Sequence, residues 1–265
     1  IHAALKQALA KAGLAPHEVL IIGGIGCGSK LPDYTHANGF MTLHGRTLPI
    51  ATGARLGNHN LKVIAVHGDG DGMGLGMGHF VHTARRNLEL VDLVQNNQIY
   101  GLTKGQYSPT SDAGFVTSTS PDGAFETPVN PVGLALAAGA TFLARGFAGD
   151  AKGLAEVIAE ALQHKGYALV DILQPCVTFN RKNTYDWYRE RVYDLAETDH
   201  DPSDRVAAWH KASEWGDRIP LGIIYQVQLP TYEEQLAGLE QGPVATRELK
   251  RLSAAEVEGL CAEFM

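Results

Sequence analysis

The sequence contains few cysteines, few methionines and few tryptophans, and it lacks a long apolar run. Its 265 residues include three cysteines, namely Cys27, Cys176 and Cys261. A sparse, odd-numbered set does not make a disulfide framework, so we predict a protein of the reducing cytoplasm. No apolar run approaches the roughly 20 residues that a membrane-spanning helix needs, and no secretory signal is visible. The sequence therefore predicts no association with a membrane.

Basic tracts are also absent. The 22 Lys and Arg residues are outnumbered by 29 Asp and Glu residues, which gives a formal net charge of -7. That balance argues against nucleic acid as a partner, because general binding to nucleic acid depends on clustered positive charge. A hydrophobic share of 45% with 19% charged residues instead predicts a sizeable core.

Short apolar runs alternate with helical patterns along most of the chain. Strands are predicted at Val19–Ile22, Leu61–His67, Leu88–Gln95, Thr141–Arg145 and Tyr167–Leu173. Helices are predicted at residues 1–12, 48–57 and 77–86, from Asn130-Pro131 onward, and at 150–165. This alternation predicts an α/β fold with a mainly parallel sheet sandwiched by helices.

The pattern changes near residue 184. Residues 184–265 carry most of the tryptophan and many charges, and their order of elements is not evident from the sequence. We predict an α/β domain over 1–183 and a C-terminal extension over 184–265 that packs on the core or on a partner subunit. The first predicted helix starts at Ile1 without a capping residue, so we expect further residues upstream.

Polar and glycine-rich segments follow three of the predicted strands directly. These segments are Gly23–Ser29, Gly68–Gly72 and Asn96–Asn97. Because ligands of parallel sheets bind beyond the carboxyl ends of the strands, we expect all three segments at one edge. Asn97 follows Asp69 by 28 residues. A carboxylate, an amide oxygen and the Ile99 carbonyl would give Mg²⁺ three of its oxygen ligands, beside a diphosphate and a water.

Two other interpretations of these segments are weaker. Asp69-Gly-Asp71-Gly resembles the start of a calcium-binding EF-hand loop, but Met73 occupies the third ligand position. The loop at Gly23–Ser29 resembles a dinucleotide-binding fingerprint, but Ser29 replaces its final glycine. Gly-Asp-Gly alone could also be a surface turn, so the magnesium interpretation depends on the added interval to Asn97.

Longer segments around these positions resemble one enzyme family. Gly-Asp-Gly followed at this interval by Asn-Asn is the signature of thiamine-diphosphate enzymes. The matching segments are Gly26–Pro32, Leu43–Arg46, Gly68–Asp71, Asn96–Gln106, Tyr107–Thr110 and the Pro175-Cys176 step. Over roughly residues 1–190 they resemble the β subunit of 2-oxoacid:ferredoxin oxidoreductases, of the 2-oxoglutarate type, and the tail resembles it weakly at Ile219–Gly222. The resemblance implies that the chain has the thiamine-diphosphate-binding fold and forms the domain that binds the pyrophosphate of the cofactor.

The resemblance also implies roles for matching residues. Asp69, Asn97 and the Ile99 carbonyl would bind Mg²⁺, and Leu102 and Lys104 would contact the 2-oxoacid, with Lys104 pairing the distal carboxylate of 2-oxoglutarate. The residues expected to contact thiamine diphosphate are Ile25, Gly26, Cys27, Gly28, Ser29, Thr42, Leu43, His44, Gly45, Gly68, Gly70, Asp71, Gly101 and Leu102.

A [4Fe–4S] cluster is implied as well, held by four cysteine thiolates. Cys27 and Cys176 match two ligand positions, and the other two are expected in a Cys-x-x-Cys upstream of residue 1. The implied reaction is coenzyme A-dependent oxidative decarboxylation of a 2-oxoacid to acyl-CoA and CO2, with single electrons passing through the cluster to ferredoxin. An α subunit would supply the glutamate that activates the cofactor, so we expect this chain to be inactive alone.

Other interpretations remain open from the sequence. The chain could be a thiamine-diphosphate-dependent decarboxylase subunit without electron transfer, a pyruvate-specific ferredoxin oxidoreductase, or a non-catalytic subunit that keeps the fold. Cys27 and Cys176 could be ordinary thiols, and Lys104 could be a solvated loop charge. His44 could be a hydrogen-bonded core histidine, and Cys261 is interpreted as structural or exposed.

Overall fold

The computed structural model describes residues 1–248 and 251–264. The strands are β1 (Val19–Gly23), β2 (Asn38–Met41), β3 (Lys62–Gly68), β4 (Leu90–Asn96), β5 (Ile99–Tyr100), β6 (Gln106–Tyr107), β7 (Phe142–Phe147), β8 (Tyr167–Leu173), β9 (Val192–Asp194) and β10 (Ile219–Gln226). The helices are α1 (His2–Lys11), α2 (Leu31–Tyr34), α3 (Thr47–Gly57), α4 (Met77–Arg86), α5 (Pro131–Ala138), α6 (Ala151–Gln163), α7 (Tyr185–Arg189), α8 (Arg205–Ser213) and α9 (Ala254–Ala262). The five strands and the helices that the sequence predicts all lie at the expected places.

One large sheet organises the described chain. Its strand order is β2-β1-β3-β4-β8-β7-β10-β9, and β5 and β6 form a separate hairpin. Every neighbouring pair of the large sheet is parallel except β7 and β10. The predicted mainly parallel sheet is therefore confirmed.

Helices cover both faces of this sheet because its buried strands are apolar on both sides. In β3, Ile64 and Val66 pack with α1 and α6, whereas Val63 and Ala65 pack with α3, α4, α5 and α8. The alternation follows from the two-residue period of a strand. It gives two cores of fully buried residues, one on each face, which confirms the predicted sandwich.

Side-chain caps fix where α5 and α6 begin. Asn130 Oδ1 accepts a hydrogen bond of 3.0 Å from Gly133 N at the start of α5, and Pro131 occupies the first turn. Asp150 caps α6 in the same way through Gly153 N, also at 3.0 Å. Both caps satisfy N–H groups that a helix start leaves without partners.

Residues after 183 contribute to the same sheet. Strand β10 pairs antiparallel with β7, with a register shift between Ile223 and Tyr225, and β9 pairs parallel with β10. The large sheet thus contains strands from both sides of residue 183, and the division at that residue stays a prediction. Within residues 1–248 and 251–264, no helix combines the length and the apolar character needed to cross a bilayer.

His164, at the end of α6, makes stability depend on pH. Its side chain is buried, and its Nε2 lies 2.8 Å from Thr141 Oγ1. Burial, opposed by Glu89 and reinforced by Lys62, lowers the pKa of His164 to about 4. In the unfolded chain His164 has a pKa of 6.5, so it takes up a proton at a higher pH than in the folded state. The part of the unfolding free energy that depends on neutral His164 is therefore present at neutral pH and is lost as the pH falls from 6.5 towards 4.

Replacing His164 by asparagine is expected to remove this pH dependence. The difference in unfolding free energy between wild type and His164→Asn should shrink by about 2 kcal/mol from pH 7.5 to pH 5. Urea unfolding at the two pH values measures this difference. The exposed His36→Asn variant is the control, and a wild-type–variant difference that does not change with pH would contradict the assignment.

Candidate active site

A cleft opens at the carboxyl ends of β1, β3 and β4, where the three polar segments come together. Gly68 at the end of β3 pairs with Gln95 near the end of β4, so the segments that follow leave the sheet side by side. The cavity volume of the cleft is about 100 Å³. Its lining residues are Ile25, Gly26, Cys27, Gly28, His44, Gly68, Asp69, Gly70, Asp71, Asn97, Ile99, Tyr100, Gly101, Leu102 and Thr103.

Asp69 is a buried carboxylate held by neutral donors. Its Oδ2 accepts hydrogen bonds from Ser108 Oγ at 2.5 Å and Thr110 Oγ1 at 2.7 Å, and its Oδ1 accepts one from Asn97 N at 3.3 Å. Burial raises the pKa of Asp69, and the two hydroxyls oppose that rise. No ion pair to Asp69 is formed by the residues that the structure describes. A buried carboxylate without a positive partner is suited to a cation.

Asn97 lies beside Asp69 at the start of the turn into β5. Its Oδ1 accepts a hydrogen bond of 3.0 Å from Ile99 N, which fixes the amide over the turn. Two hydrogen bonds therefore link the three groups: Asn97 N donates to the Asp69 carboxylate, and Ile99 N donates to the Asn97 amide oxygen. Hard oxygen donors of these types fit Mg²⁺. Among the described residues, no group of three His, Cys, Asp or Glu could hold a metal ion, so an ion at this place needs the amide and other oxygens.

Asp71 ties two loops to the first turn after β3. Its Oδ1 accepts hydrogen bonds from Ile25 N at 3.3 Å, from Gly45 N at 2.8 Å and from the His44 ring, and its Oδ2 accepts one from Thr47 Oγ1 at 3.3 Å. One loop follows β1 and the other follows β2. Asp71 therefore shapes the cleft by holding its walls together.

Glycines let the chain pass close to the Tyr100 ring at the floor of the cleft. Tyr100 donates a 3.0 Å hydrogen bond to the Gly70 carbonyl, and a Cβ on Gly70 would lie 2.2 Å from Tyr100 Cε1. Nearby, a Cβ on Gly24 would lie 2.1 Å from Asp71 Oδ2. Such separations are far below van der Waals contact, so any side chain would displace the wall.

Gly70→Ala is therefore expected to lower affinity for a diphosphate ligand about tenfold by pushing Tyr100 into the cleft. The matched control is Gly78→Ala in α4, where an added Cβ meets nothing within 4 Å. That change should leave affinity unaltered and stabilise the helix by about 1 kcal/mol. Calorimetric titration with thiamine diphosphate and Mg²⁺ measures the affinity, and equal affinities of the two variants would contradict the steric argument.

The structure brings most of the predicted site residues into the cleft, but not all of them. Thirteen predicted positions are in its lining, and the six that are not are Ser29, Thr42, Leu43, Gly45, Lys104 and Cys176. Ser29 is buried, and the Leu43 side chain is 76% exposed. Thr42 Oγ1 donates to the Gly23 carbonyl, and Gly45 N to Asp71. Lys104 is exposed in the β5–β6 turn with a φ of 78°.

Cys27 and Cys176 lie at the same edge of the sheet. Cys27 is exposed and lines the cleft, whereas Cys176 is half-buried just beyond β8 and packs beside Ile99. The Cys176 Sγ is 3.4 Å from the position of a Cβ on Gly101, which also lines the cleft. Neither thiol forms a disulfide. A [4Fe–4S] cluster needs four thiolate ligands, and these two free thiols match two of the expected positions.

Some residues of the site have no role in the sequence-based prediction. Tyr100 and Thr103 line the cleft, and Ser108 and Thr110 hold Asp69. Ser108 and Thr110 lie in the long polar segment between β6 and α5, and the length of this segment is the signal that could have indicated a function.

Two models of known protein families match this chain. Residues 24–172 match the model of the thiamine pyrophosphate enzyme C-terminal TPP-binding domain. Residues 176–241 match the model of the C-terminal region of the pyruvate ferredoxin oxidoreductase β chain. The first match covers more than half of the chain and confirms the expected thiamine-diphosphate-binding fold.

Individual relatives bear the same family name. The 2-oxoacid:ferredoxin oxidoreductase subunit beta of Saccharolobus solfataricus is 46% identical over 253 residues, 89% of this chain and 82% of the relative. The 2-oxoglutarate oxidoreductase subunit KorB of Mycobacterium tuberculosis is 48% identical over 176 residues, 66% of this chain and 47% of the relative. A solved 2-oxoglutarate:ferredoxin oxidoreductase from Magnetococcus marinus, with 2-oxoglutarate, coenzyme A and succinyl-CoA bound, superposes with a TM-score of 0.87 at 40% identity, over 91% of this chain and 82% of that one. The chain belongs to the β subunits of the 2-oxoacid:ferredoxin oxidoreductase family.

Proposed function

We propose that this chain is the thiamine-diphosphate-binding β subunit of an enzyme that oxidatively decarboxylates 2-oxoglutarate to succinyl-CoA and CO2. One observation carries the proposal. Asp69 and Asn97 lie together at the ends of adjacent strands, next to glycines, and Asp69 Oδ1 is 3.3 Å from Asn97 N. Family membership supports the reaction type, and the ligands of the solved relative support the substrates. The proposed location is the cytoplasm, which the sparse cysteines favour.

Asp69, the Asn97 amide oxygen and the Ile99 carbonyl would hold Mg²⁺, and thereby the diphosphate. Ser108 and Thr110 fix Oδ2 of Asp69, so its carboxylate does not need to reorient when the ion arrives. Thiamine diphosphate, when bound, supplies the nucleophilic carbon and the electron sink for decarboxylation. Asp71 keeps residues 25–28 and 42–45 beside the cleft, where their backbone can contact the cofactor. The activating glutamate would come from an α subunit.

Leu102 and Lys104 are the proposed contacts to the 2-oxoacid. The β5–β6 turn that bears them is closed by hydrogen bonds from Lys104 N to Gly101 O at 3.2 Å and from Gly105 N to Tyr100 O at 2.9 Å. Leu102 lines the cleft, and Lys104 is exposed two residues further on. The proposal places the Lys104 ammonium group against the far carboxylate of a dicarboxylic substrate.

Lys104→Met is expected to raise KM for 2-oxoglutarate about tenfold and to leave KM for pyruvate within about twofold, because pyruvate has no distal carboxylate. Methionine keeps most of the length of the side chain and removes its charge. Lys104→Arg, which retains the charge, is the control. Steady-state kinetics of the αβ complex measure both constants, and an equal effect on the two substrates would contradict the assignment.

Electron transfer is proposed to run through a [4Fe–4S] cluster to ferredoxin. Cys27 and Cys176 would supply two thiolates, and the proposal takes the other two from the Cys-x-x-Cys expected upstream. Both thiols lie within or next to the cleft, so electrons leaving the cofactor would have a short path.

The decisive experiment is an assay of the purified αβ complex with a panel of 2-oxoacids, coenzyme A and a one-electron acceptor. The proposal predicts acceptor reduction that requires coenzyme A and is fastest with 2-oxoglutarate. Decarboxylation without acceptor reduction would instead identify a decarboxylase. Fastest turnover of pyruvate would identify a pyruvate enzyme.

A further inference from the structure

A buried histidine lies against the turn that follows β3, and the proposed function gives it no role. His67 is the penultimate residue of β3, and its side chain is fully buried. It precedes Asp69 by only two residues, yet it does not line the cleft. Because the imidazole cannot reach a ligand in the cleft, any influence on the candidate active site has to pass through its neighbours.

Two side chains of neighbouring strands hold the imidazole at one ring nitrogen. His67 Nε2 lies 2.8 Å from Asp92 Oδ1 in β4, and the Tyr167 hydroxyl in β8 donates to Asp92 Oδ2 at 2.6 Å. Asp92 and Tyr167 are both fully buried. Because β3, β4 and β8 are consecutive strands of the large sheet, this row of side chains anchors the ring to the sheet.

The other ring nitrogen faces the turn. His67 Nδ1 lies 3.1 Å from the Gly68 carbonyl oxygen, and it must be the donor because a carbonyl oxygen can only accept. A Cβ on Gly72 would lie 2.2 Å from His67 Cε1 and 2.5 Å from its Nδ1. The ring therefore packs directly against the Gly72 backbone, where only glycine leaves room for it.

The turn after Asp69 has an uncommon geometry. Gly70–Leu75 forms a π-helical turn, and Gly76 N donates at 3.0 Å to the carbonyl of Asp71, five residues earlier. Turns of this kind are rare and are frequent at functional sites. Asp69 directly precedes the turn and Asp71 lies within it, so a change in the turn would move both carboxylates of the cleft.

We propose that His67 is a positioning residue of the cofactor site, which acts through Gly68 and Gly72 to set the turn that carries Asp69 and Asp71. Its hydrogen bond to the Gly68 carbonyl fixes the direction in which the chain leaves β3. Its ring, packed against Gly72, fixes the path of the turn that follows. The inference rests on the proposed function only for its effect on thiamine diphosphate, since the contacts with the turn involve this chain alone.

Hydrogen exchange of the αβ complex, freed of thiamine diphosphate and Mg²⁺, tests the contact with the turn. His67→Asn places an amide N–H near the position of Nδ1, whereas His67→Gln places one near that of Nε2. We expect His67→Gln to speed exchange of the Gly70–Leu75 amides at least about tenfold, and His67→Asn to stay within about threefold of wild type. Wild-type exchange in His67→Gln, or equal acceleration in the two variants, would overturn the proposal.

Calorimetric titration with thiamine diphosphate and Mg²⁺ measures the consequence for the cofactor. His67→Gln should weaken binding about tenfold, and His67→Asn should stay within about threefold of wild type. His164→Asn, which replaces another buried histidine, is the control and should lower stability without changing affinity. A loss of affinity in His164→Asn as large as that in His67→Gln would mean that affinity follows global stability, and would overturn the proposal. If the wild type does not bind the cofactor, the proposed function fails, whereas the exchange rates still decide the role of His67.

A second pair of variants covers the case in which loss of the imidazole prevents folding. Without the ring, the Asp92 carboxylate is buried with the Tyr167 hydroxyl alone, which is costly. His67→Asn and His67→Gln are therefore also combined with Asp92→Asn, which removes that charge and keeps the size of the side chain. The Gly70–Leu75 amides should again exchange about tenfold faster with His67→Gln than with His67→Asn. Equal rates, or the reverse order, would overturn the proposal.

Discussion

Asp69→Asn is expected to abolish magnesium-dependent binding of thiamine diphosphate, with at least a hundredfold loss of affinity. The change keeps the size of the side chain and removes its negative charge. Asp69 is the buried carboxylate at the centre of the site, and the described residues offer it hydroxyl and amide donors rather than a cation. Loss of the charge therefore removes the main attraction for Mg²⁺, while the Ser108 and Thr110 hydroxyls can rotate to suit the amide.

Calorimetric titration with thiamine diphosphate at saturating Mg²⁺ measures this loss. Asp122→Asn, an exposed change in the segment between β6 and α5, is the control and should leave affinity unaltered. Thermal unfolding without ligands shows whether Asp69→Asn is folded. Relief of carboxylate burial should make the variant at least as stable as wild type, since burial raises the pKa of Asp69. Unchanged cofactor affinity in the folded variant would refute the metal assignment and the proposed function with it.

Cys176→Ala in the full αβ complex is expected to remove the cluster and reduce ferredoxin reduction at least a hundredfold. Three thiolates hold a [4Fe–4S] cluster poorly, and electrons would then have no acceptor near the cofactor. Cofactor affinity should remain within about threefold of wild type, because the Cys176 side chain does not line the cleft. This separation between electron transfer and cofactor binding is the distinctive feature of the prediction.

Iron analysis and electron paramagnetic resonance of the reduced complex measure the cluster directly. Cys27→Ala should lose the cluster too, although it lines the cleft and should also disturb cofactor binding. Cys261→Ala, on the exposed helix α9, is the matched control and should keep full iron. Full iron content in both Cys176→Ala and Cys27→Ala would exclude these two thiols as ligands of the cluster.

The parallel part of the sheet was predictable because its strands are short apolar runs, several of which end in glycine or asparagine. Burial on both faces requires such runs, and the ligand edge of a parallel sheet requires loops at their carboxyl ends. The 28-residue interval between Asp69 and Asn97 therefore predicted a contact that the structure contains. The sequence predicted that the backbone would approach another group closely at the glycines. It did not predict that the group next to Gly70 would be the Tyr100 ring.

Two features escaped sequence reasoning for physical reasons. Strand β10 contains Pro220 and Gly222, which interrupt the apolar pattern, and Gly222 has a φ of 105°. Pro and Gly weaken a strand signal, and pairing with β7 outweighs this local preference. Asp71 was predicted to contact the cofactor, whereas its hydrogen bonds show it also joining two loops. Local sequence contains no information about which distant N–H groups a carboxylate will meet.

The bonds around Asp71 have a thermodynamic consequence. Both loops are fastened to one buried carboxylate through hydrogen bonds from Ile25 N, Gly45 N and Thr47 Oγ1. Cofactor capture then needs little ordering of the backbone, so the entropy lost on association is confined mostly to the ligand and to displaced water. A binding site of this kind is preorganised. The rate at which the cofactor exchanges is then set by dissociation of the cofactor and not by refolding of the two loops.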